Sequence, residues 1–268
     1  MFYLSLFLNN NLSGCMVLKV GMKTWSGNGI KRISSSAKIG DFIEVMIEPD
    51  VDYTYLKKIK TKFVIHCGHM YFGFNPPGKE RWDECKRILQ KAQEAADFLN
   101  AKKIIVHFGL IENDEQAKDG VKNALEFFKD FKDKRIILEN SSKVYMYNGK
   151  PALMTDTPKD MKVILEKTGY GFCLDLAHAW VVAYNLGKDP KQMIKDFLKL
   201  KPKHFHVLDS TKEKKDDHIG LGDGILDIEF FRDVLKEYSK KHEVMISLET
   251  PYNSQKNKKE IEFMKSIK

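Results

Sequence analysis

Eight short β-branched and apolar runs recur along the chain with amphipathic segments between them, and this alternation restricts the possible folds more than any other feature. Strands are predicted at Val17–Met22, Phe42–Glu48, Phe63–His66, Lys103–Phe108, Arg135–Glu139, Gly171–Asp175, His204–Leu208 and Val244–Glu249. The clearest helical pattern is Glu80–Asn100, where Trp82, Cys85, Leu89, Ala92, Ala96 and Leu99 form one apolar stripe at spacings of three and four. A second, Glu115–Phe131, carries Val121, Ala124, Leu125, Phe128 and Phe131 on its apolar face. Further helices are expected at Pro158–Lys167, Pro190–Leu200, Asp227–Lys240 and Lys256–Ile267, the first two opened by proline. Strands separated by helices run parallel and need crossovers, so the chain reads as α/β, with a closed (β/α)8 barrel first and an open doubly wound sheet second. No linker interrupts residues 17–268, which are read as one barrel domain behind an N-terminal extension over residues 1–16, either frayed or a product of start-site choice.

With 43% hydrophobic and 31% charged residues, the 268-residue chain has ample material for a core, which excludes disordered and collagen-like chains. Its 45 basic and 37 acidic residues leave a net charge of +8, which suits a polyanionic partner such as nucleic acid. Forty of the basic residues are lysines, and a solvated lysine-rich surface accounts for the excess equally well. Cys15, Cys67, Cys85 and Cys173 lack close spacing, so neither a disulfide framework nor a cysteine zinc knuckle is indicated, and a reducing cytoplasm is the expected home. The start MFYLSLFLNNNLSG has no basic leader region and is far shorter in its apolar part than the ~20 residues of a membrane span.

The chemistry lies at the strand ends. Successive expected strands end in or contain His66, His107, Glu139, Asp175, His206 and Glu249, all metal-ligand types. Two positions earlier on the same faces stand Val64, Ile105, Ile137, Cys173, His204 and Ser247. Taken singly, each polar residue reads more readily as a hydrogen-bonded cap of the barrel than as a ligand. Six in one mouth require a positive charge to offset packed carboxylates, and a divalent metal supplies it; mixed imidazole and carboxylate donors suit zinc, with manganese or iron as alternatives. His178 stands one helical turn beyond Asp175, and Asp216 and His218 are two apart in a turn-forming loop, which places them on one side of an extended segment. The longest irregular stretches, Cys67–Lys79, Asn140–Thr157 and Asp209–Ile225, follow strands and are where barrels carry function.

In order and spacing, Ile-His66, Val-His107-Phe-Gly, Leu-Glu139-Asn, Cys-Leu-Asp175-Leu-Ala-His178-Ala, His206-Val-Leu-Asp209-Ser-Thr-Lys, Asp216-x-His218-x-x-Leu-Gly-Asp-Gly and Leu-Glu249-Thr resemble the metal-binding motifs of endonuclease IV. That family of apurinic/apyrimidinic endonucleases lies within the xylose-isomerase-like TIM barrels, and the resemblance covers roughly residues 63–251. It implies up to three zinc ions. One would be held by His66, His107 and Glu139, a second by Glu139, Asp175, His206 and Glu249, and a third by His178, Asp216 and His218. It further implies Glu139 as a bridge, Glu249 as the residue that orients the attacking hydroxide, double-stranded DNA with abasic sites as partner, no membrane, and a monomer acting in DNA repair. The product would be a nick 5′ to the abasic site with a 3′-hydroxyl.

The chain departs from that family where DNA is read. Lys23-Thr-Trp25-Ser lacks the usual histidine, and Glu48-Pro-Asp50-Val-Asp52 is acidic where an arginine-bearing loop is expected. Met70 and Tyr71 stand where the family places an intercalating pair, and either wedge into the minor groove or cover the rim together with Phe72 and Phe74. Trp25 and Trp180 flank the mouth, where they pack against aromatic neighbours or stack a base or sugar. His204 reads as a hydrogen-bonded core residue behind His206, His242 as surface, and Lys212–Lys215 as a solvated run. Two other functions remain open: a divalent-metal sugar or sugar-phosphate isomerase or epimerase using Glu139, Asp175, His206 and Glu249, and a nucleic-acid-binding barrel with a vestigial site.

Overall fold

The computed structural model describes residues 18–266, so the extension expected over residues 1–16 lies outside the described residues. Eight parallel strands close on themselves: β1 (Leu18–Trp25), β2 (Ile43–Ile47), β3 (Phe63–Cys67), β4 (Ile104–His107), β5 (Ile136–Glu139), then β8 (Gly171–Asp175), β9 (His204–Val207) and β10 (Val244–Leu248). Between β5 and β8 a small antiparallel pair, β6 (Tyr145–Tyr147) and β7 (Lys150–Ala152), rises from the loop. Helices surround the barrel: α1 (Gly29–Ile39), α2 (Trp82–Leu99), α3 (Asp114–Phe128), α4 (Pro158–Thr168), α5 (Leu176–Asn185), α6 (Pro190–Leu198), α7 (Ile228–Ser239) and α8 (Ser254–Lys265).

Strand alternation divides the apolar residues into two cores. Val45, Ile65, Val106, Leu138, Leu174, Val207 and Ile246 face outward into one large cluster with the helices, which explains why the strands read as near-continuous apolar runs. Phe42, Val64, Ile105, Ile137 and Cys173 form a separate small cluster inside the barrel, with Met245 against it. Gly21 allows this plug to close: a Cβ there would lie 2.9 Å from the Phe42 ring. The plug fills the end of the interior where the strands begin, so the ligand-type side chains two residues later stand on a dry floor.

Three elements were absent from the sequence expectation, and a fourth ends early. Helix α1 was not expected because Ser34–Ser36 lower its propensity, yet Ile33 and Ser36 bury. Helix α5 is apolar all round, LAHAWVVAYN, and therefore carries no amphipathic period; eight of its residues are buried. The stretch expected to be irregular after Glu139 contains the β6–β7 hairpin, turned at Asn148 and Gly149 with φ of 49° and 71°. Helix α3 ends at Phe128 rather than Phe131, although Phe131 still packs in the outer core.

Candidate metal centre

Each ligand candidate is delivered by local structure. Asp175 ends β8 and also caps α5: its Oδ1 accepts the His178 N–H at 2.7 Å, which anchors the first helical turn, while Oδ2 lies 3.8 Å from His178 Nε2 and 4.0 Å from His206 Nδ1. Asn140, next to Glu139, clamps this corner. Its side chain accepts the Asp175 N–H at 2.8 Å and donates to the Asp175 carbonyl at 3.0 Å, while its own carbonyl lies 2.8 Å from His178 Nδ1. The loop after β9 is pinned by Asp209, whose two oxygens accept the N–H groups of Ser210, Gly222, Gly224 and Leu226. A bridge between Asp209 and Ile219 closes the loop and carries Asp216 and His218 back over the mouth, His218 in the left-handed region at φ 51°.

The structure brings all nine expected ligands together, in the three groups the sequence implied: His66 with His107 and Glu139; Glu139 with Asp175, His206 and Glu249; and His178 with Asp216 and His218. Within each group one donor atom per residue lies within 4.8 Å of the others. Glu139 belongs to two groups, its Oε2 lying 3.3 Å from His66 Nε2 and 3.2 Å from His107 Nε2, and its Oε1 3.3 Å from His206 Nδ1. His178 Nε2 stands 3.1 Å from Asp216, and His218 3.2 Å from Asp216 and 3.3 Å from Glu249.

Sequence reasoning missed two further residues here. Lys23, at the end of β1, places Nζ 2.6 Å from Glu249 Oε1, with both side chains buried. Glu44 on β2 is fully buried beneath His206 and next to His204. A lone charged residue on the inward face of an apolar strand was the available signal for Glu44.

Charge balance points to a cation. Burial opposes ionisation of Glu139, yet His107 and His206 hold its carboxyl well below the ordinary range. Lys23 and His206 do the same for Glu249 against its burial. Asp175 goes the other way, lifted to about 6 by burial with His178 as the main opposing charge. Burial pushes His107 down to about 3 and His69 to about 2. His218 rises to about 10 despite burial, because Asp216 and Glu249 flank it, and His178 rises through Asp175 and Asp216. The carboxylates thus draw protons onto His178, His206 and His218, protons that divalent ions would displace. Asp175 Oδ2 is buried without a hydrogen-bond partner, and His206 Nδ1 and Asp216 Oδ1 face Glu249 and His218 without forming aligned hydrogen bonds, an arrangement that is costly unless something else coordinates these atoms. Donor chemistry and orphaned atoms both fit divalent metal.

A pocket of about 450 Å³ opens above the centre. Trp25, Met70 and Tyr71 line it, Tyr71 being 78% exposed, and Lys23, Arg32 and Lys143 contribute cations. Trp25 meets His69 and Phe72 edge-on, so its packing and its place on the pocket coexist. Trp180 is instead buried against Phe231 and Tyr184, away from the opening. Phe74 is buried, His242 is half-buried and stacks on Tyr238, and Lys212, Lys214 and Lys215 are exposed. Cys67, Cys85 and Cys173 are buried free thiols, and among the described residues no helix is long and apolar enough to cross a membrane.

A family model described as xylose isomerase-like TIM barrel matches residues 53–267. "Probable endonuclease 4" of Mycobacterium leprae (strain Br4923) is 30% identical over 154 residues, 54% of this chain and 57% of that protein, so the chain spans little over half the length of that relative. Endonuclease IV from Thermus thermophilus superposes with a TM-score of 0.65 at 18% identity, covering 93% of this chain and 98% of that one. A D-tagatose 3-epimerase-like protein superposes with a TM-score of 0.69 at 18% identity, covering 93% and 97%. At such identities the two structural likenesses speak for the fold alone.

Proposed function

The chain belongs to the xylose isomerase-like TIM-barrel family, and on that premise we propose that it is a metal-dependent phosphodiester hydrolase of the endonuclease IV type that cuts double-stranded DNA at abasic sites. The observation that carries this reading is the third ligand group, His178, Asp216 and His218, lying beside the other two around one pocket floor. A one-metal sugar isomerase would need only Glu139, Asp175, His206 and Glu249, which would leave His66, His107 and the whole loop group without a purpose.

Imidazole and carboxylate donors favour zinc, held in the three groups described, with manganese or iron as alternatives. Bound there, such ions would lower the pKa of a water, clamp phosphate oxygens and neutralise the departing oxygen, as phosphodiester hydrolysis requires. The chain's own residues supply the remainder. Glu249, kept ionised by Lys23 and His206, is the carboxylate that orients the attacking water and takes its proton. Glu139 joins the first two groups and fixes their spacing. Lys23, Arg32 and Lys143 offer charge to the phosphate backbone, and Met70, Tyr71 and Trp25 offer apolar surface to the bases flanking the lesion. The protein would act in DNA repair in the cytoplasm, as a monomer.

Elemental analysis of the purified protein, together with nicking of a synthetic duplex bearing one abasic site, tests the reading. About three zinc ions per chain and nicking abolished by a chelator are expected. One ion per chain, an intact duplex and turnover of a small sugar would replace the reading with the isomerase.

A further inference from the structure

The histidines around the centre are oriented in two ways. His66 Nδ1 lies 2.7 Å from the Cys67 carbonyl and His178 Nδ1 lies 2.8 Å from the Asn140 carbonyl. A carbonyl only accepts, so each ring donates Nδ1–H to the backbone and turns the lone pair of Nε2 toward the centre. His206 is turned over. Its Nε2 lies 3.0 Å from the Glu44 carboxylate, while Nδ1 faces Glu249 at 2.6 Å and Glu139 at 3.3 Å. Glu44 also takes His204 Nε2 at 2.9 Å and the Ser247 hydroxyl at 2.5 Å. All four residues are fully buried.

We infer that Glu44 is a positioning residue for the metal centre: by accepting the Nε2–H of His206 it fixes the ring so that Nδ1, not Nε2, presents its lone pair to the second metal. The inference rests on the metal reading of His206 given above. A carboxylate is the side chain that can serve here, because three donors converge on it and a deprotonated carboxyl has only acceptors. An imidazole held by a carboxylate is also a more basic ligand than one held by a carbonyl. The Glu44, His204 and Ser247 cluster thus sits level with the apolar plug, Glu44 paired with Val64 and His204 with Cys173, and its hydrogen bonds all run toward one carboxylate.

Glu44→Gln keeps the size but brings an amide NH2 to face one of the two imidazoles. Where it faces His206, Nε2 must become the acceptor and the proton moves to Nδ1, which closes that nitrogen to metal. Metal content by elemental analysis and affinity by chelator competition, with circular dichroism to verify folding, make the test. For E44Q the expected result is a roughly 10–100-fold weaker second ion, with E44D intermediate. An unchanged affinity in both folded E44Q and folded E44A, the latter removing the acceptor from both imidazoles, overturns the inference, even if the melting temperature falls. Four tight ions in the wild type, one of them lost in E44Q, also overturns it, since Glu44 would then be a ligand itself. NMR of the cadmium-loaded wild type with isotope-labelled histidines needs no variant: metal coupling to His206 Nδ1 with a proton on Nε2 is expected, and coupling to Nε2 overturns the inference. A wild type without tight metal would remove the proposed function and this inference together, whereas three ions with E44Q and E44A both indifferent removes the inference alone.

Discussion

Two positions apart on β3, β4, β5 and β8, the barrel interior changes from Val64, Ile105, Ile137 and Cys173 to His66, His107, Glu139 and Asp175. Along a strand that is a step of about 6.6 Å, and both sets face the same way. The lower set is sealed by neighbouring strands and Phe42, whereas the upper set opens to the pocket. A dry, rigid floor lowers the local dielectric under the ligands and keeps water from solvating their charges from below. The two ends therefore divide the work: the plug holds the strands at fixed spacing, and the mouth uses that spacing to converge donors.

The comparison breaks most sharply at Glu139. Replacing it with Gln removes the carboxylate shared by two ligand groups while leaving the plug untouched. Nicking is expected to fall at least about 10³-fold, equivalent to about 4 kcal/mol of barrel-mouth chemistry. Elemental analysis should show ions lost, while the urea midpoint of the metal-free protein stays near wild type. A variant that keeps its ions and activity would end the bridging role.

The converse is Ile137→Ala, two residues earlier on the same strand. The side chain is 4% exposed and packs in the plug, so about 2–5 kcal/mol of stability should be lost to the cavity. Urea denaturation measures this, and ion content should be unchanged at saturating zinc. Ions lost in step with stability would show that the ends are not separable.

A smaller effect is expected at Asp209, which touches no ligand yet accepts four backbone N–H groups in the loop carrying Asp216 and His218. Asp209→Asn turns an NH2 toward those donors. The third ion should bind about 10–100-fold more weakly, with the first two retained. Loss of the first two ions by chelator titration would contradict this division of the site.

The same division separates what was legible in the sequence from what was not. Period-two alternation and ligand types at strand ends are local patterns, so the barrel and the six strand-end candidates could be read directly, whereas the grouping of nine candidates came with the family resemblance. Helix α5 and Glu44 are opposite failures of that logic: one is apolar on every side and shows no period, the other is a single charge in IEVMI whose partners lie on β9 and β10. Lys23 and Glu44 also precede residue 53, where the family match begins, so no motif pointed to them. Asn140 and Asp209 were legible as members of motifs, but their clamping of backbone groups up to 35 residues away was not.

The smallest effect concerns two lysines at the two ends. At the mouth, burial opposes charge on Lys23, but Glu249, Glu139 and Glu44 hold its ammonium well above the ordinary lysine range. At the closed end, Lys103 donates to the Lys203 carbonyl beside Met245, and burial lowers its pKa to about 8 from 10.5 because Cys173 and Glu243 compensate only weakly. The unfolded chain therefore binds more protons than the folded one between pH 8 and 10.5, and stability rises with pH across that window. Below it, Lys103 imposes a constant cost, on the order of 1 kcal/mol after screening at a half-buried position. Lys103→Met should be more stable than wild type at pH 7, with the difference shrinking as pH climbs through 8 toward 10.5; urea midpoints of the pair across that range measure it. A difference that is flat with pH would place the Lys103 ammonium in water, and the closed end would then be less dry than its apolar plug implies.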